Sequence, residues 1–281
     1  MPKYGQLVLG PAGSGKTTYC SVIKEHFEAQ SRVCHVVNLD PAAENELRYD
    51  AAVDVRELLT ARDVSDQLTL GPNGALVACM EYLVEEGLDW LEDRLNGFGE
   101  DDYILFDLPG QIELYSHIPV IKQLVHFLKR QDFRICAVYC IDCMFVTDSA
   151  KFIAGSLAAL SAMVALELPH VNVLTKCDLL KSKNEDGALA VRAFLEMDID
   201  ELKAKLAEGM DVKYRKLNEA LAGLLEEYSL VQFAELDITE EESIDALLGQ
   251  VNNTINYGED IEPRESDYLG DSKADNCDFQ D

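Results

Sequence analysis

The chain has 281 residues, 48% of them hydrophobic, enough to bury a substantial core as one large α/β domain or at most two. A formal charge of −28, with no cluster of Lys and Arg to relieve it, would repel a phosphate backbone over most of the surface, so direct nucleic-acid binding is not expected. No basic, apolar N-terminal signal precedes the first strand, and no apolar run reaches the roughly 20 residues that span a bilayer, so the expectation is a cytoplasmic protein without membrane attachment.

In chain order, Gly5-Gln6-Leu7-Val8-Leu9 reads as a short buried strand and Thr17 to Phe27 as the helix that follows. Between them, Gly10-Pro11-Ala12-Gly13-Ser14-Gly15-Lys16-Thr17-Thr18 fits the pattern G-x-x-x-x-G-K-[ST]. Its glycines, Gly13 and Gly15 among them, let the backbone curl until several N–H groups face phosphate oxygens, and the helix N-terminus adds its partial positive charge. The pattern places Lys16 at the β- and γ-phosphates and Thr17 on Mg²⁺.

Val33 to Leu39 is a second apolar strand, ending at Asp40-Pro41, where the aspartate taken alone is equally well read as a turn former. Leu70-Gly71-Pro72-Asn73-Gly74 reads as a tight turn into an amphipathic helix from Ala75 to Glu86. Tyr103 to Asp107 is an apolar strand ending in a carboxylate, and Leu108-Pro109-Gly110-Gln111 completes the D-x-x-G pattern. Asp107 then lies near the metal and the Gly110 N–H near the γ-phosphate.

Ile135 to Tyr139 is a further strand, followed by Cys140-Ile141-Asp142-Cys143. With no second pair nearby, buried reduced thiols are the default over zinc or redox chemistry. Phe152 to Leu168 reads as a helix buried on most sides, in part against a second subunit. Val171 to Leu174 is a strand leading into Thr175-Lys176-Cys177-Asp178, which fits [NT]-K-x-D. A carboxylate at Asp178 accepts from the ring and exocyclic N–H groups of guanine, whereas adenine presents the wrong donors; by itself the residue would read as a helix cap. Beyond it come a polar loop at Lys181 to Gly187, helices within Ala188 to Tyr228, a strand from Leu230 to Ala234, and an acidic, aperiodic tail from Gly258 to Asp281 expected to be disordered. The five histidines show no ligand spacing.

Phosphate loop, D-x-x-G and T-K-x-D, in this order and each after an apolar strand, narrow the ligand to GTP or GDP with Mg²⁺. A P-loop nucleoside kinase would not need the last two together. Strands alternating with helices indicate a P-loop NTPase fold, a doubly wound, mostly parallel α/β sheet flanked by helices and carrying helical insertions.

Gly10 to Thr18, Asp40-Pro41-Ala42, Gly71-Pro72-Asn73, Asp107 to Gln111 and Thr175 to Asp178 together resemble the motif series of the GPN-loop GTPases. The likeness spans about residues 3 to 257, taken as a GTPase domain over 1–257 with a tail over 258–281, and is strongest to the third eukaryotic branch of the family. The resemblance implies a dimer, with a paralogue of the same family or with itself, in which Gly71-Pro72-Asn73 reaches the other subunit's nucleotide. Asn73 would there donate to the transferred phosphoryl group or to the attacking water. Gln111 and Asp40 match positions thought to orient that water, with Glu113 a weaker candidate. The family's last base-contacting loop is expected after the strand ending at Ala234, where Glu235-Leu236-Asp237 carries no recognisable motif. The resemblance also implies a role in assembly and nuclear import of RNA polymerase II, through its subunits or assembly factors and with shuttling to the nucleus. A non-enzymatic assembly or transport adaptor, using GTP only as a conformational ligand, is the alternative.

Overall fold

A computed structural model describes residues 2–183, apart from 45 and 100, and 233–258, with single positions at 216, 220 and 223. Its strands are β1 (Lys3–Leu9), β2 (Cys34–Asn38), β3 (Ala51–Asp54), β4 (Tyr103–Asp107), β5 (Phe133–Asp142), β6 (His170–Thr175) and β7 (Phe233–Glu235). They form one seven-stranded sheet in the order β3-β2-β4-β1-β5-β6-β7, parallel at every pairing. Such a sheet must be covered on both faces, which is why its central strands are runs of apolar residues rather than alternations. Tyr103 to Asp107 is buried at every position, and β1 at every position after Lys3.

The helices are α1 (Lys16–Ala29), α2 (Ala61–Leu68), α3 (Pro72–Glu85), α4 (Leu88–Leu95), α5 (Glu113–Ser116), α6 (Val120–Arg130), α7 (Ser149–Leu166), α8 (Cys177–Lys183) and α9 (Glu241–Thr254). One face of the sheet packs on α3, α4, α6 and α7 through Leu9, Val37, Phe106, Tyr139 and Leu174. The other packs on α1 and α9 through Val8, Val36, Leu105, Val138 and Val173. After β1 the chain runs to one edge through β2 and β3, returns to β4 beside β1, then fills the other side. The carboxyl ends of β4, β1 and β5 therefore open on one crevice at the point where the winding reverses, where doubly wound folds bind ligands.

Several boundaries move. The helix expected from Ala75 begins at Pro72, with Gly71 as N-cap, so Asn73 lies in a helical turn and not in a tight turn before it; proline at the first position gives up no backbone bond there. The polar loop expected from Lys181 starts inside α8, which runs to Lys183. In α7 the burial expected on most sides holds, with Ala154, Ser161 and Val164 exposed along one stripe. The helices expected within 188–228 lie outside the described residues, single positions aside, and so does the tail after Gly258. Among the described residues no helix is long and apolar enough to cross a membrane.

Candidate functional site

The floor of the crevice is the turn from β1 into α1. Gly10 there has φ 133°, and a Cβ on it would come within 2.3 Å of the Cys140 carbonyl oxygen, so only glycine fits. The Lys16 ammonium, on a residue 8% exposed, donates to the carbonyls of Gly10 and Pro11 at 3.1 and 3.2 Å. Ser14 Oγ is buried without a hydrogen-bond partner among the described residues, a donor left over inside the loop. Thr17 and Thr18 follow in the first turn of α1, both half-buried.

Two segments clamp this loop. The Thr175 hydroxyl donates to the Ser14 carbonyl at 2.5 Å and to the Ile141 carbonyl at 3.1 Å. Lys176, held at φ 62°, sends its ammonium to the Gly13 carbonyl at 2.6 Å and to Asp142 Oδ2 at 2.7 Å. Asp178 sits one residue inside α8, past the cap position, half-buried, and its side chain makes no hydrogen bond to another side chain among the described residues. The cap reading does not match that position. The Cys143 thiol donates to the Lys176 carbonyl at 3.1 Å, fixing the same turn from below. Cys140 and Cys143 are buried free thiols, and among the described residues no group of three or more His, Cys, Asp or Glu is arranged for a metal.

Across the crevice, Asp107 ends β4 and is 3% exposed. Its Oδ2 accepts from Thr17 Oγ1 at 2.9 Å and from the Tyr49 hydroxyl at 2.8 Å. Burial pushes the Asp107 carboxyl above the usual carboxylate range, while these two hydrogen bonds and the Lys16 charge pull it back. Burial likewise raises Asp40, opposed by the Ala42 N–H, bonded to it at 2.9 Å, and by Lys16. Thr17 and Asp107 supply oxygen donors only, the set that suits a hard divalent cation carried in with a nucleotide.

Gly110 crosses directly over the phosphate loop: a Cβ there would lie 2.7 Å from the backbone of Ala12 and 2.9 Å from Lys16 Nζ. The next residue, Gln111, donates from Nε2 to Asn73 Oδ1 at 2.7 Å, joining the D-x-x-G segment to the first turn of α3. Gly71, Pro72 and Asn73 are exposed, and Glu113 is exposed in the first turn of α5. The fold thus brings Lys16, Thr17, Asp40, Asp107 and Gly110 together, with Gln111 and Asn73 as a pair at the rim.

Residues 8–257 match the model of a family described as conserved hypothetical ATP binding proteins. GPN-loop GTPase 3 of Dictyostelium discoideum is 49% identical over 94% of this chain and 91% of its own length, and that of Xenopus tropicalis 47% identical over 100% and 98%. The chain belongs to the GPN-loop GTPase family. A GTPase from Pyrococcus abyssi, crystallised in apo form, shares the fold with a TM-score of 0.74 and 26% identity, over 89% of this chain and 97% of that one.

As a GPN-loop GTPase it binds GTP and GDP and hydrolyses GTP. The adenine nucleotide in the family model's description sits poorly with a T-K-x-D segment clamped to the phosphate loop. Three participants in this GPN-loop site carry no motif. Tyr49 is one. Asn38, wholly buried, donates to Asp54 Oδ1 at 2.9 Å and accepts from the Asp40 N–H at 3.1 Å, so it holds the turn that presents Asp40. Arg56 pairs with Asp54 at 2.5 Å behind it. The loop after β7 is the other gap: the Leu236 N–H bonds to the Leu174 carbonyl at 2.9 Å, and buried Asp237 accepts from the Thr239 N–H and hydroxyl at 2.9 and 2.6 Å. That carboxylate braces its own turn beside the base segment.

Proposed function

We propose that this GPN-loop GTPase is a Mg²⁺-dependent molecular switch that works as a dimer, with a paralogue or with itself, and serves assembly and nuclear import of RNA polymerase II. The phosphates of GTP lie along the loop from Gly10 to Thr18, and Lys16 leaves its two carbonyl partners to offset the charge at the β- and γ-positions. Thr17 and Asp107 would hold Mg²⁺, which would supply positive charge against the phosphates. Asp40 and Gln111 orient the attacking water. Thr175 and Lys176 keep the phosphate loop and the base segment in register, so that Asp178 meets the guanine edge.

The observation that carries the reading is the hydrogen bond from Gln111 Nε2 to Asn73 Oδ1. It engages the carbonyl of the Asn73 amide and leaves Nδ2 as the donor, on an exposed helix turn from which it can enter a second subunit's site. An amide so placed acts on a neighbour's transition state and contributes little to nucleotide binding in its own chain. Cytoplasmic residence with passage to the nucleus, and polymerase subunits or assembly factors as clients, follow from the family likeness. Nothing in the charge distribution supports direct contact with nucleic acid.

In a mixed dimer, Asn73→Ala on this chain should leave its GTP affinity unchanged and slow hydrolysis at the partner's site by about 10²- to 10³-fold, as loss of a single transition-state donor does. Lys16→Ala should silence this chain's own site. Single-turnover assays with one site blocked at a time separate the two, and a loss confined to the Asn73→Ala chain's own site would overturn the composite arrangement. Purification from native cells should bring down a GPN-loop paralogue together with polymerase subunits; a lone monomer would overturn the switch role.

A further inference from the structure

We propose that Tyr49 is a positioning residue of this GTPase, whose hydroxyl fixes the Asp107 carboxylate for the Mg²⁺ that accompanies GTP. Two donors converge on one oxygen: Tyr49 at 2.8 Å and Thr17 at 2.9 Å, both to Oδ2. Among the described residues no hydrogen bond engages Oδ1. The carboxylate is thus held by one oxygen and keeps the other for a cation, the arrangement that second-layer partners impose on metal ligands.

The donor is itself anchored. Tyr49 is 8% exposed and belongs to the core cluster that includes Val8 and Cys20, against which Leu47 and Ala51 pack. The carbonyl of the preceding residue, Arg48, accepts from Ser21 Oγ at 3.1 Å, which ties this stretch to α1 about one helical turn beyond the phosphate loop's end. Tyr49 belongs to the connection between β2 and β3, the same connection that carries Asp40 at its start. One hydroxyl therefore links three parts of the site: the segment of Asp40, the carboxylate closing β4, and through the shared oxygen the first turn of α1. A residue with only a packing role would gain nothing from the phenol oxygen, since phenylalanine fills the same space.

The inference rests on the assignment of Thr17 and Asp107 to Mg²⁺. Tyr49→Phe should keep the fold and the affinity for fluorescent GDP measured in EDTA. It should raise the Mg²⁺ concentration for half-maximal enhancement of that affinity by about 10- to 100-fold, the usual cost of losing a second-layer partner, and lower kcat more than KM changes. An unchanged Mg²⁺ half-saturation in folded Tyr49→Phe would overturn the proposal. Asp107→Asn separates the two levels: if it too leaves the Mg²⁺ dependence intact, the cation assignment itself falls. Should Tyr49→Phe not fold, 3-fluorotyrosine at position 49 alters the acidity of the same hydroxyl without changing its reach. A shift in Mg²⁺ half-saturation then supports the proposal, and no shift overturns it.

Discussion

The base-reading role proposed for Asp178 rests on its neighbours. Thr175 and Lys176 are both committed to the phosphate loop, the first to the Ser14 carbonyl and the second to that of Gly13, so the one side chain of the segment left to read a base is the aspartate. Asp178→Asn replaces an acceptor by an amide that can donate to a carbonyl, and xanthine carries an oxygen where guanine has its exocyclic amine. Loss of a charge-assisted contact costs about 1.5 to 3 kcal/mol per hydrogen bond, so the preference for GTP over XTP should fall by about 10- to 100-fold. Competition between the two nucleotides measures it, and an unmoved ratio would make Asp178 structural. His170 makes a claim on stability instead. Burial pushes its pKa down to about 4, with the Asn172 side chain opposing. The folded value lies below the unfolded one near 6.5, so the unfolded chain takes the proton first. The neutral ring's contribution is complete above about pH 6.5 and is lost as pH falls towards 4, for a total of about 3 kcal/mol. Urea unfolding at pH 7.5 and pH 5 should show a smaller difference for His170→Gln than for the parent chain; equal differences would remove His170 as a source.

The turn after β4 comes close to the phosphate loop, because Gly110 lies against the backbone of Ala12 and the tip of Lys16. Gly110→Ala should force these apart and cost about 10²-fold in hydrolysis, as misplacement near the chemistry does, while melting stays within a few degrees because the position faces the crevice and not the core. An active Gly110→Ala variant would show that the two segments part freely. The same contact explains what could be read from the chain alone. Phosphate loop, D-x-x-G and T-K-x-D each compress strand end, turn and functional side chain into a few consecutive residues, so Lys16, Thr17, Asp107 and Asp178 declare themselves by spacing, and the strands β1, β4 and β6 with them. Tyr49 and Asn38 do not, because their partners Asp107 and Asp54 lie 58 and 16 residues away in sequence and meet only through strand order. The short strand β3 has too few residues for alternation to register. At Asn73 the words Gly-Pro-Asn-Gly suit a turn and a helix start equally, and the packing of Ala75, Leu76, Cys79 and Met80 decides for the helix.

With 52 acidic residues against 24 Lys and Arg, the folded chain works against its own charge. Raising salt from about 0.02 to 0.2 M shortens the reach of that repulsion and should raise the melting temperature by about 2 to 4 °C, as a gain near 1 kcal/mol does for a domain of this size. Scanning calorimetry at the two concentrations checks it; an unchanged or lower midpoint would mean that the acidic groups are already compensated locally. Among the described residues the sheet ends on one side in the four-residue strand β3 and on the other in β7. The β3 margin offers only a short backbone ladder for a foreign strand to extend, and it is closed at its end by the Asp54–Arg56 pair. Pairing through side chains at one rim closes after two molecules, whereas edge-to-edge growth does not stop. The short β3 edge is a poor template for such growth, so the rim pairing proposed above would stop at two molecules without running on into a fibre along that edge.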